Sequence, residues 1–98
     1  MTRIETIAKL RASAEAVKAQ GATSLFLFGS SARDEAGPGS DLDVFIDYNP
    51  ERKFSLLNLA AIKNLLEDLL EVEVDVTTRD SLHPMLRDDI EQAAIRVF

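Results

Sequence analysis

The chain predicts an α+β fold, a small mixed β-sheet with helices packed on it, and three observations carry that prediction. Short apolar or alternating stretches at Ser24–Phe28, Leu42–Tyr48 and Val72–Thr77 read as strands. Long stretches of helical periodicity, Thr2–Gln20 and Phe54–Leu70, alternate with them. The 98 residues are 46% hydrophobic and 29% charged, the balance of a globular chain with one modest core, so residues 1–98 are expected to form one domain.

Each element follows from local chemistry. Ile4, Ile7, Leu10, Ala14 and Val17 recur at helical spacing, and Gly21 suits the left-handed position after the helix. Ser24–Phe28 is an apolar run ending at Gly29. Ser31–Glu35 starts a short helix that Ala36-Gly37-Pro38-Gly39 breaks. Leu42, Val44, Ile46 and Tyr48 alternate with Asp41, Asp43, Phe45 and Asp47, giving a strand with one apolar and one largely acidic face. Leu56, Leu59, Ile62, Leu65, Leu66 and Leu69 line one side of the strongest helix. Val72, Val74 and Val76 alternate with Glu73, Asp75 and Thr77. Pro84 opens a last helix running to Ala93, and Ile95–Phe98 forms a closing edge strand. The 54–70 helix is long enough for a crossover, whereas the glycine-rich link between the first two strands points to an antiparallel pair.

Composition excludes several classes of function. With no cysteine and one histidine there is neither a disulfide framework nor a zinc site. No apolar run reaches membrane-spanning length, and the charged N-terminus lacks a signal peptide's apolar segment, so the expected location is cytoplasmic. A net charge of −6 without Lys/Arg clusters argues against direct nucleic-acid binding and for a small, metal-bound nucleotide. No Walker A sequence occurs, and Phe45 and Ile46 occupy positions where an EF-hand starting at Asp41 needs a ligand and a glycine. Ser30 or Ser31 as a nucleophile lacks a base.

What remains is a constellation for phosphate chemistry. Gly29-Ser30 sits at a strand-to-helix turn, where backbone N–H groups can cradle an anion. Asp41 and Asp43, two apart on a strand, point to one face and repel each other unless a cation intervenes. Asp75 lies on the polar side of another strand; if the strands are neighbours, three carboxylates converge and can hold two metals. Taken alone, each part has a plain structural explanation. Gly29-Ser30 is an N-cap with a tight turn, Arg33 a surface ion pair, Ser40 a turn residue and His83 a helix cap or surface residue; Tyr48 and Phe45 are packing residues or lie under a base.

The string Phe28-Gly29-Ser30-x-Ala32-Arg33, then Ser40-Asp41-x-Asp43, with ten residues between Ser30 and Asp41, resembles the minimal nucleotidyltransferases (MNT or MntA-like proteins) of the DNA polymerase β-type nucleotidyltransferase superfamily. Asp75 between Val74 and Val76, and Leu82-His83-Pro84, extend the likeness along nearly the whole chain. The resemblance implies that Asp41, Asp43 and Asp75 bind two Mg²⁺ ions, with Asp75 also helping to activate an acceptor hydroxyl. It implies that Gly29 and Ser30 hold the phosphates of ATP, with Arg33 and Ser40 in support. The implied reaction moves AMP to a hydroxyl, a tyrosine of a HEPN-type toxin, and makes the chain an antitoxin. A non-catalytic antitoxin acting by contact and a small-molecule enzyme of the aminoglycoside type are the alternatives. One departure stands out: Asp34 follows Arg33 where the family usually has Gly.

Overall fold

The computed structural model describes residues 2–29, 32 and 41–98. The predicted 31–35 helix and the Ala36–Gly39 break lie outside them. A four-stranded sheet is built from β1 (Ala22–Phe28), β2 (Leu42–Tyr48), β3 (Val74–Thr78) and the two-residue β4 (Ile95–Arg96), in the order β3-β2-β1-β4. The β1–β2 and β1–β4 pairs are antiparallel and the β2–β3 pair is parallel. The α+β class, the antiparallel first pair and the crossover helix all agree with the sequence reading.

The first helix is not continuous. It divides at Ser13 into α1 (Arg3–Ala12) and α2 (Ala14–Ala19). Thr2 caps α1 by accepting a hydrogen bond from the Glu5 N–H (3.1 Å). At the break, the Ser13 N–H and hydroxyl both donate to the Leu10 carbonyl (3.1 and 2.6 Å), replacing the next helical bond. Leu10 and Val17 are fully buried, but Ile4 is 78% exposed, so the predicted apolar stripe does not extend to the helix start.

The crossover helix α3 (Leu56–Leu70) starts at Ser55, whose N–H and hydroxyl donate to Asn58 Oδ1 (both 3.0 Å). Its buried line is Ile62, Leu66 and Leu70. Leu56 and Leu69, expected on that line, are exposed, because the helix is rotated toward the 62-66-70 row that meets the sheet. The last helix, α4, covers Arg87–Ala93, after a turn in which the His83 carbonyl accepts from Leu86 and Arg87. The predicted start at Pro84 is thus turn rather than helix, and β3 starts at Val74 rather than Val72. No described helix is long and apolar enough to cross a membrane.

One sheet face carries Leu25, Leu27, Leu42, Val44, Ile46 and Val74 into the core with α1–α3. The opposite face carries Phe26, Phe28, Asp43, Phe45, Asp47 and Asp75. Phe45 interrupts the acids of this face and packs, as its apolar side chain suggests: it is fully buried, stacked on Phe26 (centroids 4.8 Å) and tilted against Phe28 (5.6 Å).

Glu67 ties α3 to the start of β3. Its carboxylate accepts from the Val74 N–H and from Lys63 Nζ (both 3.0 Å), and these bonds, the backbone one first, hold its pKa below the usual glutamate range. A lowered carboxylate pKa stabilises the fold above the unfolded pKa, and that contribution fades as pH falls through the folded value. Glu67→Gln is therefore expected to lower the melting temperature at pH 7, with the gap to wild type closing below about pH 4. Ile62→Ala is expected to cost about 2–5 kcal/mol in urea unfolding, whereas Leu56→Ala, at a position 83% exposed, is expected to change stability by no more than about 0.5 kcal/mol.

Candidate active site

Two features of the sheet bring the predicted carboxylates to one place. Leu42 and Val44 are buried in the core, which forces Asp43 to the opposite face. The parallel register then sets Asp43 directly beside Asp75, and the antiparallel register sets it beside Phe28 on the other side. Asp43 thus lies in the middle strand of three, half-buried, with Asp41 and Asp75 exposed around it. Burial raises its pKa first, and the charges of Asp75 and Asp41 raise it further. The three predicted acids are therefore within electrostatic reach of one another.

Gly29 closes on this group from β1. Its φ is +71°, in the left-handed region, and an added Cβ would lie 2.8 Å from Asp43 Oδ2. Only a glycine lets the main chain approach the carboxylate this closely. The Gly29 carbonyl accepts from the Ala32 N–H (3.2 Å), and Arg3 Nη1 donates to the Ala32 carbonyl (3.0 Å), which ties the turn to α1. Ser30, Arg33, Asp34 and Ser40 lie outside the described residues.

Asp47, on the same face of β2, has a different environment. Arg79 grips it through two bonds, Nε to Oδ1 (2.8 Å) and Nη2 to Oδ2 (3.0 Å). The same guanidinium lies over the rings of Phe26 (4.8 Å) and Phe45 (5.1 Å) and reaches Glu91 on α4 (3.5 Å). Among the described residues, no such cation pairs with Asp41, Asp43 or Asp75. One acid of the strand is neutralised in place, and the other is left among like charges.

Sequence reasoning missed Arg79. Its signal was the period of two: Asp75, Thr77 and Arg79 continue one face of β3, and the register that pairs Asp43 with Asp75 carries Asp47 toward Arg79. Tyr48 lies at the far end of β2 from Asp43, stacked on Phe54 (4.9 Å) with its hydroxyl donating to Asp80 (2.7 Å), which fits the packing role. His83 is not a helix cap: its Nδ1 accepts from the Met85 N–H (3.1 Å) in the turn before α4, whose N-cap is Leu86.

The donor set suits a hard divalent cation, since all three groups are carboxylates and the charge of the central one is disfavoured by burial and then by its neighbours' charge. Among the described residues, no three Asp, Glu or His side chains close into a preformed metal cage. A Mg²⁺ site needs only one or two carboxylates when phosphate oxygens complete the shell. A glycine main chain beside such a group leaves room for a phosphorylated substrate to approach it.

Residues 10–97 match the family described as nucleotidyltransferase domain, and the chain belongs to that family. The class of enzyme is thereby a nucleotidyltransferase. Among its relatives is a Methanocaldococcus jannaschii protein, named provisionally as a protein adenylyltransferase, that is 43% identical over 75 residues, 76% of this chain and 74% of that one. The protein adenylyltransferase MntA of Thermococcus cleftensis is 37% identical over 62 residues, 63% of this chain and 61% of its own length. A solved structure, described provisionally as a minimal nucleotidyltransferase, superposes with a TM-score of 0.72 at 40% identity, covering 91% of this chain and 93% of that one. The fold is also shared, at 13% identity and a TM-score of 0.63, with a complex of an MNT antitoxin and a tri-AMPylated HEPN toxin from Shewanella oneidensis, covering 90% of this chain and 68% of that one.

Because Asp43 sits among like charges, Asp43→Asn is expected to raise the melting temperature at neutral pH by a few degrees, roughly the shift of a 1 kcal/mol change in a chain this size. Gly29→Ala is expected to cost about 1–2 kcal/mol from its left-handed backbone alone. Urea unfolding of Gly29→Ala, Asp43→Ala and the double variant should give a non-additive cycle, which the close Gly29–Asp43 approach requires.

Proposed function

We propose that this chain is a metal-dependent protein adenylyltransferase that moves AMP from ATP to a hydroxyl of a HEPN-type toxin, a tyrosine phenol, and acts in the cytoplasm as that toxin's antitoxin. The observation that carries the proposal is the half-buried Asp43, set among Asp41, Asp75 and the Gly29 main chain. The names of the relatives support adenylyl transfer to protein. The fold shared with toxin–antitoxin complexes, one of them solved with AMP-PNP, supports the kind of partner and the nucleotide.

In this reading Asp41, Asp43 and Asp75 hold Mg²⁺, two ions in all. Bound Mg²⁺ neutralises the phosphates and lowers the cost of charge developing on the attacking and leaving oxygens. Gly29 and Ser30 hold the phosphate chain through backbone N–H groups and the serine hydroxyl, with Arg33 and Ser40 in support. Asp75, exposed at the edge of the site, orients the acceptor hydroxyl and takes its proton. The acceptor oxygen forms a bond to the α-phosphorus, the bond from that phosphorus to the bridging oxygen breaks, and pyrophosphate leaves.

The test is incubation with α-labelled ATP, Mg²⁺ and a HEPN-domain protein from the same genome. Wild type is expected to label the HEPN protein, and Asp41→Asn/Asp43→Asn to label nothing while keeping a cooperative melt. Chelation should abolish labelling, and mapping of the labelled peptide should find a tyrosine. Labelling that persists in the double variant would overturn the metal assignment. Neutralisation of the toxin without any label, using each of the four NTPs, would replace the enzyme reading with inhibition by contact.

A further inference from the structure

Among the described residues, the outer edge of β3 is half sealed and half open, and the open half adjoins Asp75. The Leu42 N–H donates to the Glu73 carbonyl (3.0 Å), which fixes the phase of the parallel ladder. Residues 73, 75 and 77 turn their backbone groups toward β2, and residues 74 and 76 turn theirs outward. At Val74 both outward groups are taken by α3: Lys63 Nζ donates to the carbonyl (2.7 Å) and Glu67 accepts from the N–H (3.0 Å). Among the described residues, none meets the outward N–H and C=O of Val76. Exposed strand edges normally carry a blocking device, and here the device stops one step short of the site.

We infer that the Val76 edge is a docking rail for an extended segment of the protein acceptor, which joins the sheet as a fifth strand outside β3. Two features choose this occupant. A strand added there runs about 4.8 Å from β3, so a hydroxyl side chain on its site-facing side arrives next to Asp75. The surface around the rail is acidic, with Glu71, Glu73 and Asp75 all exposed on a chain of net charge −6, so the segment carries Lys or Arg beside its hydroxyl residue. The Lys63–Glu67 clasp at Val74 ends the pairing and sets which acceptor residue faces Asp75. The inference rests on the adenylyltransferase reading for its choice of partner, but docking is measured without turnover.

Two measurements test it with the HEPN-domain protein as the probe. In hydrogen exchange, the Val76 amide is expected to slow by at least about tenfold when the complex forms, as burial in a ladder hydrogen bond requires. A complex in which Val76 exchanges at its free rate overturns the rail, and so does failure of any complex to form. The second is Val76→Pro, which removes an outward N–H and leaves the β2 ladder intact. It is expected to lower kcat/KM for the protein acceptor by at least about tenfold while KM for ATP stays unchanged. Wild-type transfer by Val76→Pro would overturn the rail and leave the proposed activity standing. A protected Val76 in a complex that transfers no AMP would do the reverse. Self-association through the same edge, seen as a dimer by sedimentation that Val76→Pro dissolves, would assign the rail to a second copy and overturn it as an acceptor site.

Discussion

Everything at this site depends on the register between β2 and β3. It places Asp43 beside Asp75 with Asp41 close by, and the fold holds these charges together at a cost. That cost is borne by the other side of the same strand. Leu42, Val44 and Ile46 are buried under α1–α3, and moving β2 by one residue would send them to solvent and the acids into the core. Hydrophobic burial on one face thus enforces electrostatic strain on the other, and such strain is what a bound cation relieves.

The face that carries the acids is divided in two. At one end Arg79 grips Asp47, covers two phenylalanine rings and reaches α4, so the sheet is braced by a pair whose charges cancel. At the other end Asp43 has glycine on one side and acid on the other. Phe45 lies between the two ends, wholly buried, and on this seven-residue strand separates the ion-paired Asp47 from Asp43, which sits among like charges. A chain of 98 residues with a small core has little room for such contrasts, and here alternate positions of a single strand supply both.

The edge of β3 extends the same economy. Lys63 and Glu67 bridge the helix to the first outward backbone pair, which secures the crossover and, among the described residues, leaves only the edge beside Asp75 uncovered. An acidic surface repels polyanions and attracts basic protein segments.

Much of this was readable along the chain, because the signals are local. Period-two alternation located β2 and β3 and put Asp41, Asp43 and Asp75 on polar sides; Gly29 marked the end of β1; and the Gly-Ser turn with Asp-x-Asp pointed to phosphate chemistry, which the family resemblance narrowed to nucleotidyl transfer. The errors arose where neighbours distant in sequence decide. Leu56 and Leu69 fit a helical stripe as well as Leu70 does, and only the direction from which the sheet meets α3 exposes the first two and buries the third. Phe45 packs as its apolar side chain suggests, but only the fold decides that Phe26 and the Arg79 guanidinium cover it. Asp43 and Asp47 look alike in the sequence, each an acid at an alternate position of β2. Their difference lies in what stands across the strand gap, a carboxylate in one case and a guanidinium in the other. Charge acts through space, so partners brought together by the fold set the chemistry of each acid, while periodicity along the chain sets only which face it occupies.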